Sequence, residues 1–385
     1  MIKGEKMGIK SILKREGIEE VKELDTLTIN KIAKRIAKKL VDNFSGHDLT
    51  ESQLFIELSR LKMYVAKMPN DLSGAKYMWL NKSIYFKDGV EFSTIEEFAT
   101  HECLHYLQEL KDEKGNVIRL GLYDFATGGI KGMAINEAAV QLMAEKASGN
   151  ESDKVKYYDI FLDTISPDYY PLQCALVNEL AYFTGEYALY HSTLYSDNIF
   201  KDTVDAKFGK KSYIIIRDAL DILMQKEATL NELANQLQQE NSEKRVKKIN
   251  IAIDKKKAEI TDLFLKIQNY IIEKGFNSEF LAVKNMEELH RFKKRLYKFK
   301  DLIGYTVDYN FYNDFYIQTM TEFEKKKEYI EQYGEIVDGN IEKPRLDLTV
   351  TEPKMSFAKR IMIKLGILAK TEKGFETQKQ EINAK

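Results

Sequence analysis

His101 and His105 stand four residues apart in TIEEFATHECLHYLQEL, and Glu102 directly follows the first of them. On a helix this spacing puts both imidazoles on one face, one turn apart, the separation that two ligands of a tetrahedral zinc ion require. Glu102 then lies on the neighbouring side, where it can take a proton from a water that the metal activates and return it to a leaving amine. Two histidines do not complete the protein's share of such a site: a third ligand is needed, with the fourth position left to water. The stretch after His105, YLQELKDEKG, holds no further histidine, so the third ligand must come from elsewhere. Glu137, in GIKGMAINEAAVQLMAEKASG, is the leading candidate, with Glu145 and Glu179 as rivals.

The competing reading is that two core histidines are neighbours by accident. With five histidines in the chain, such a pattern arises by chance on the order of once in a hundred sequences, so the motif needs its context. Upstream, LKMYVAKM and YMWLNKSIYFKDG are rich in Tyr, Val, Ile and Trp and predict strands, separated by the turn-like PNDLSG. The HECLH helix is predicted to open on the capping box Ser93-Thr94-Ile95-Glu96 and to bury Ile95, Phe98, Leu104 and Leu107. Another capping box, TESQ from Thr50, starts the preceding helix. Downstream, AINEAAVQLMAEKA predicts a helix ended by SGN, and PLQCALVNELAYFTGEYALYHSTLY predicts one long helical run.

Here the sequence resembles the gluzincin metallopeptidases, the thermolysin-like zincins, whose pattern is HExxH followed by a helix bearing Asn-Glu. HECLH is followed by Asn136-Glu137, and the resemblance spans roughly Leu61 to Gly149. It implies that His101, His105 and Glu137 bind one Zn²⁺ per chain and that Glu102 is the general base. It also implies a zincin-like core, with NKSIYFKDG as the strand along which a peptide substrate would add. One departure concerns the residue that orients a zinc-bound histidine. That family places an Asp one turn after the glutamate ligand; here the place holds Gln141, and Glu145 lies a further turn along the same face. Asn136, Gln141 and Glu145 are therefore the candidate supports of the ligands. The family also takes oxyanion donors, a Tyr and a His, from the segment after the third ligand. Tyr182, Tyr187, Tyr190 and His191 occupy that segment; Tyr187 and His191 are carried forward as the candidates, although spacing selects neither.

The remainder of the chain sets the frame. Hydrophobic residues make up 44% and charged residues 31% of 385, with only five prolines, which predicts long uninterrupted elements and a real core. The fold expected is α+β, mainly α-helical. Residues 1–45 form an N-terminal helical segment, 46–225 the domain carrying the motif, 226–300 a basic helical extension, and 301–385 a mixed C-terminal region. The N-terminal sequence MIKGEKMGIKSILKREGIEE has no apolar core of a secretory signal, no uninterrupted apolar span is long enough for a membrane helix, and there are two cysteines; a cytoplasmic location is expected.

Net charge is −1, yet residues 241–300 carry sixteen Lys/Arg against eight Asp/Glu. No nucleic-acid-binding signature accompanies this excess, so a solvated helix face is expected and nucleic acid is not. The segment 354–370, KMSFAKRIMIKLGILAK, predicts an amphipathic basic helix that either docks on the core or meets an anionic membrane surface or a protein partner. The sequence leaves the oligomeric state open. The expected activity is zinc-dependent hydrolysis of a peptide or protein substrate. The alternatives are a regulatory zincin that cleaves one specific partner, or a non-enzymatic helical scaffold whose metal is structural or absent.

Overall fold

The computed structural model describes residues 8–69, 74–90, 92–113, 117–124, 131–303 and 309–336. The predicted helix at 354–370 lies outside them. The chain is mainly helical with small sheets. In order, the first elements are α1 (Ile9–Arg15), β1 (Glu19–Glu23), α2 (Thr26–Asn43), α3 (Glu51–Leu58), β2 (Lys62–Lys67), β3 (Ala75–Met78), β4 (Ser83–Lys87), α4 (Phe92–Leu107), β5 (Glu109–Lys111), β6 (Val117–Leu120) and α5 (Met133–Ser148). There follow β7 (Asp153–Tyr157), β8 (Ile160–Thr164), α6 (Pro171–Thr184), α7 (Glu186–Tyr195), α8 (Ile199–Phe208), α9 (Ser212–Gln239), α10 (Glu243–Ala282), α11 (Met286–Ile303) and α12 (Tyr309–Tyr333).

The main sheet has the order β1-β2-β4-β3. β4 runs parallel to β2 and antiparallel to β3, pairing Tyr77 with Ile84 and Ala75 with Phe86. Being flanked on both sides, β4 buries Ser83, Ile84, Tyr85 and Phe86 in succession rather than alternating. This corrects two expectations. YMWLNKSIYFKDG is two strands, because the chain turns at Trp79–Lys82, where Lys82 adopts φ +52°. The free edge beside α4 is accordingly β3, not the NKSIYFKDG strand, which lies in the sheet interior.

β1 was not predicted. EEVKE is exposed throughout and has one apolar residue, so it shows no alternation; backbone pairing to β2 holds it, and its charges suit a sheet edge. The two hairpins β5–β6 and β7–β8 were likewise unpredicted. The run from Pro171 to Tyr195 breaks at Gly185, at φ +91°, into α6 and α7. Thr50 caps α3 as expected: its hydroxyl accepts the Gln53 N–H and donates to the Gln53 side-chain oxygen.

One apolar core runs from Ile29 in α2 to Ile330 in α12. α9 and α10 pack as an antiparallel pair, and α9 continues straight through residue 225. The second half of α10 buries Ile260, Leu263, Phe264, Ile267, Ile271 and Phe276 in this core. The helices of residues 226–300 thus share this core, and the exposed basic character that the composition suggested is found in the first turns of α10 and along one face of α11. A smaller cluster, Ile12, Leu13, Ile18, Ala66, Met68, Met78 and Tyr85, seals α1 to the outer face of the sheet.

Candidate metal centre

α4 carries His101 and His105 on the face turned to α5, which carries Glu137. α5 is buried almost from end to end, yet Glu137, Gln141 and Glu145 make a polar stripe along it at four-residue intervals. Polar groups buried in this way must find partners inside the protein. The helix is also started unusually. Gly132 precedes it at φ +80° with no side chain to cap the helix, and a Cβ there would stand 2.7 Å from the Leu122 carbonyl. The capping comes from α9 instead: Asp221 accepts from Gly132 N at 2.7 Å and from Ala134 N at 2.9 Å.

His101, His105 and Glu137 each offer a ligand atom, all within 4.8 Å of one another, and together could hold a metal ion. The imidazole Nε2 atoms are 3.0 Å apart. Glu137 Oε2 lies 3.5 Å from His101 Nε2 and 3.4 Å from His105 Nε2, buried and without a hydrogen-bond partner. Glu145 and Glu179, the rival ligands, are elsewhere. Glu145 accepts from Gln141 and from Asn150, and Glu179 accepts from Gln268 at 2.8 Å across the α6–α10 contact.

The surrounding groups decide where the imidazole protons sit. Glu145 can only accept, so the 2.6 Å bond from Gln141 Nε2 fixes that amide and turns its Oε1 to His101 Nδ1 at 2.7 Å. Leu122 N donates to Asn136 Oδ1 at 2.9 Å, which fixes Asn136; Gln108 Nε2 then donates to the same oxygen at 3.2 Å. Gln108 Oε1 is left facing His105 Nδ1 at 3.3 Å. Both Nδ1 atoms therefore carry hydrogens, and both Nε2 lone pairs point inward at the carboxylate oxygen. Three electron-pair donors so placed repel unless a cation lies among them. This donor set, two neutral imidazoles and one carboxylate, fits a zinc ion with an open fourth position.

Burial alone would raise the Glu137 carboxyl, but the two histidines facing it outweigh burial and hold it below the ordinary carboxylate range. It is ionised at neutral pH, as a ligand must be. Burial pushes His101 down and the facing Glu137 pushes it up further, so a proton on Nε2 would compete with a metal for that lone pair. Tyr123 donates to the other Glu137 oxygen at 2.9 Å and holds the carboxylate in place. Glu102, next to His101, accepts from the backbone N–H of Tyr77 in β3 at 2.5 Å, so the edge strand and the candidate base touch. Cys103 is packed at 0% exposure, and burial pushes its thiol up.

His191 and Tyr187 belong to a different group. His191 Nδ1 lies 2.8 Å from Asp197 Oδ2, and its ring contacts Tyr187, Tyr195 and His47. Tyr187 stacks on His47 at 4.6 Å. Among the described residues, their contacts are with one another and with His47, Tyr195 and Asp197. His47, which the sequence left without a role, is 5% exposed, and burial followed by the nearby His191 holds it below the ordinary imidazole value.

Of the residues around the cluster, sequence reasoning did not find Gln108, Tyr123, Tyr77 or Asp221. Gln108 is three positions beyond His105 and could have been found from helical spacing. The others reach the site from a loop, a strand and a distant helix, and no local pattern marks them. No protein-family model, curated protein or solved structure matches this chain.

Proposed function

We propose that this protein is a zinc-dependent peptidase built on a zincin-like core. The observation that carries the reading is the convergence of His101 Nε2, His105 Nε2 and the unpartnered Glu137 Oε2 on one point between two packed helices. Zinc held there would polarise a carbonyl and activate water at neutral pH. Gln141 and Gln108 orient the two imidazoles, and Tyr123 orients the carboxylate. Glu102 would take the proton of the attacking water and pass it to the departing amine. The contact of Glu102 with the edge strand β3 favours a peptide bond as the target. A substrate strand added to β3 would pass directly over the base.

Zinc content of the purified chain, measured by elemental mass spectrometry beside Glu137→Ala and Glu102→Gln, tests this. The expected result is near one zinc per chain in the wild type and in Glu102→Gln, and loss of zinc in Glu137→Ala. Peptide hydrolysis should vanish in both variants. Zinc retained by Glu137→Ala would move the third ligand elsewhere. A chain that takes up no zinc on reconstitution would leave the scaffold alternative in its place.

A further inference from the structure

The basic excess of residues 241–300 is not spread evenly. Arg245, Lys256, Lys266, Arg291 and Arg295 are neutralised in ion pairs with Glu240, Glu259, Asp262, Glu287 and Glu279. One stretch of the α11 surface combines basic residues with an aromatic ring. His290, Lys293, Lys294, Tyr297, Lys298 and Lys300 line a shallow groove of about 570 Å³, with no acidic residue among them. Lys294, Lys298 and Lys300 are exposed and make no ion pair among the described residues. Tyr297, 51% exposed, stands among these lysines. Its hydroxyl accepts from Tyr316 at 3.1 Å, which fixes the ring in the open.

The opposite face of α11 narrows the choice of partner. Leu289, Phe292, Leu296 and Phe299 are each 3% exposed or less, packed into the core. A helix that binds lipid does so by burying its apolar face in the membrane, and here that face is already spent inside the protein. What remains is a cationic track with a fixed, exposed aromatic ring. Single-stranded nucleic acid is recognised by this combination: lysines follow the phosphates and the ring stacks on an unpaired base. A duplex keeps its bases stacked and has no use for the ring. We infer that the α11 groove, Lys293, Lys294, Lys298 and Lys300 around Tyr297, binds single-stranded nucleic acid through its backbone, without sequence selection. This departs from the expectation of a merely solvated face. Lys294, Lys298 and Lys300 share their lack of an ion pair among the described residues with Lys244, Lys247 and Lys248 of α10; the exposed ring of Tyr297 beside them is what sets the α11 groove apart.

Fluorescence anisotropy of a labelled oligothymidylate with the full chain tests the inference. Four lysines on phosphates require the logarithm of the affinity to fall with the logarithm of salt at a slope of about −3. Replacing Lys294, Lys298 and Lys300 by Glu should weaken binding at least tenfold and flatten the slope. The same triple replacement at the exposed Lys244, Lys247 and Lys248 of α10 should leave binding unchanged. Tyr297→Ala should cost about tenfold with the slope intact, as the loss of one stacked base predicts. Circular dichroism confirms that each variant is folded. Equal loss from both triple variants would reduce the effect to net charge and overturn the inference. So would equal affinity for duplex, binding to phosphatidylglycerol vesicles without binding to oligothymidylate, or no binding at low salt.

Discussion

Gln141 occupies the place where an aspartate would be the stronger partner for a ligating histidine. In the proposed site an amide can serve. Glu145 accepts from Gln141 Nε2, so a carboxylate stands behind the amide and its effect is relayed through it to His101 Nδ1. Gln141→Leu removes the acceptor and leaves Glu145 with one partner fewer. Zinc affinity, measured by competition with a chromophoric chelator, should fall by about 10–100-fold, the usual cost of losing such a support. Gln108→Leu should act on His105 in the same direction but less strongly, because its contact is longer, at 3.3 Å. At this scale much was legible. HExxH and the Asn-Glu pair pointed to the three residues that converge, since helical spacing alone sets two of them and marks a second helix for the third. Tyr123 was not legible: it lies fourteen positions before Glu137, outside the helix that carries it, and only tertiary packing brings its hydroxyl to that carboxylate.

Among the elements, α6 and α10 approach so closely that a Cβ on Gly275 would fall 2.6 Å from the Phe183 ring. That ring cannot yield, being wedged against Phe208, Phe276 and Phe299 with centroids 4.9–5.8 Å away. Gly275→Ala would gain about 1 kcal/mol of helix propensity. Overpacking a rigid core costs about 1–3 kcal/mol, and the immobile ring puts this site at the upper end. A lower urea midpoint with an unchanged denaturant slope is therefore expected. Sequence periodicity could not show this, because it reports which face of a helix is apolar and not how near the neighbouring backbone comes. The same limit explains the edge strand. The residues of β3 and β4 are equally strand-forming, and which of them is central depends on their pairing with β2.

For the molecule as a whole, two buried carboxyls make stability depend on pH. Burial raises Glu179 and Glu227 to about 8 from 4.5, the more so as each is met by a glutamine amide, Gln268 and Gln173, rather than by a cation. A folded-state value above the unfolded one means that the folded state holds protons the unfolded state has released. The stability from these groups is fully present below pH 4.5 and is lost as pH rises through about 8. Urea midpoints should fall across that window, and the double variant Glu179→Gln, Glu227→Gln should flatten the fall. A second prediction concerns the continuous core. Cutting the chain after residue 225 severs α9 and removes the α10 side chains packed on α6, α8 and α9. The fragment 1–225 should be insoluble or lack a cooperative unfolding transition, although the sequence suggested that its domain closes there. Among the described residues no helix is long and apolar enough to cross a membrane.

The sequence by itself determined what is local: the helical character of the chain, the spacing of two imidazoles, the capped start of α3 and the presence of strand-forming residues ahead of the motif. These follow from side-chain periodicity and backbone preference, which act over a few residues. Only the tertiary structure decided which of three glutamates faces the histidines, which strand is the edge, and that residues 226–300 belong to the core. It also placed the exposed Tyr297 ring among the lysines of α11. Each of these depends on contacts between segments far apart in the chain, whose energies are settled when the core packs and leave no periodic trace in the sequence.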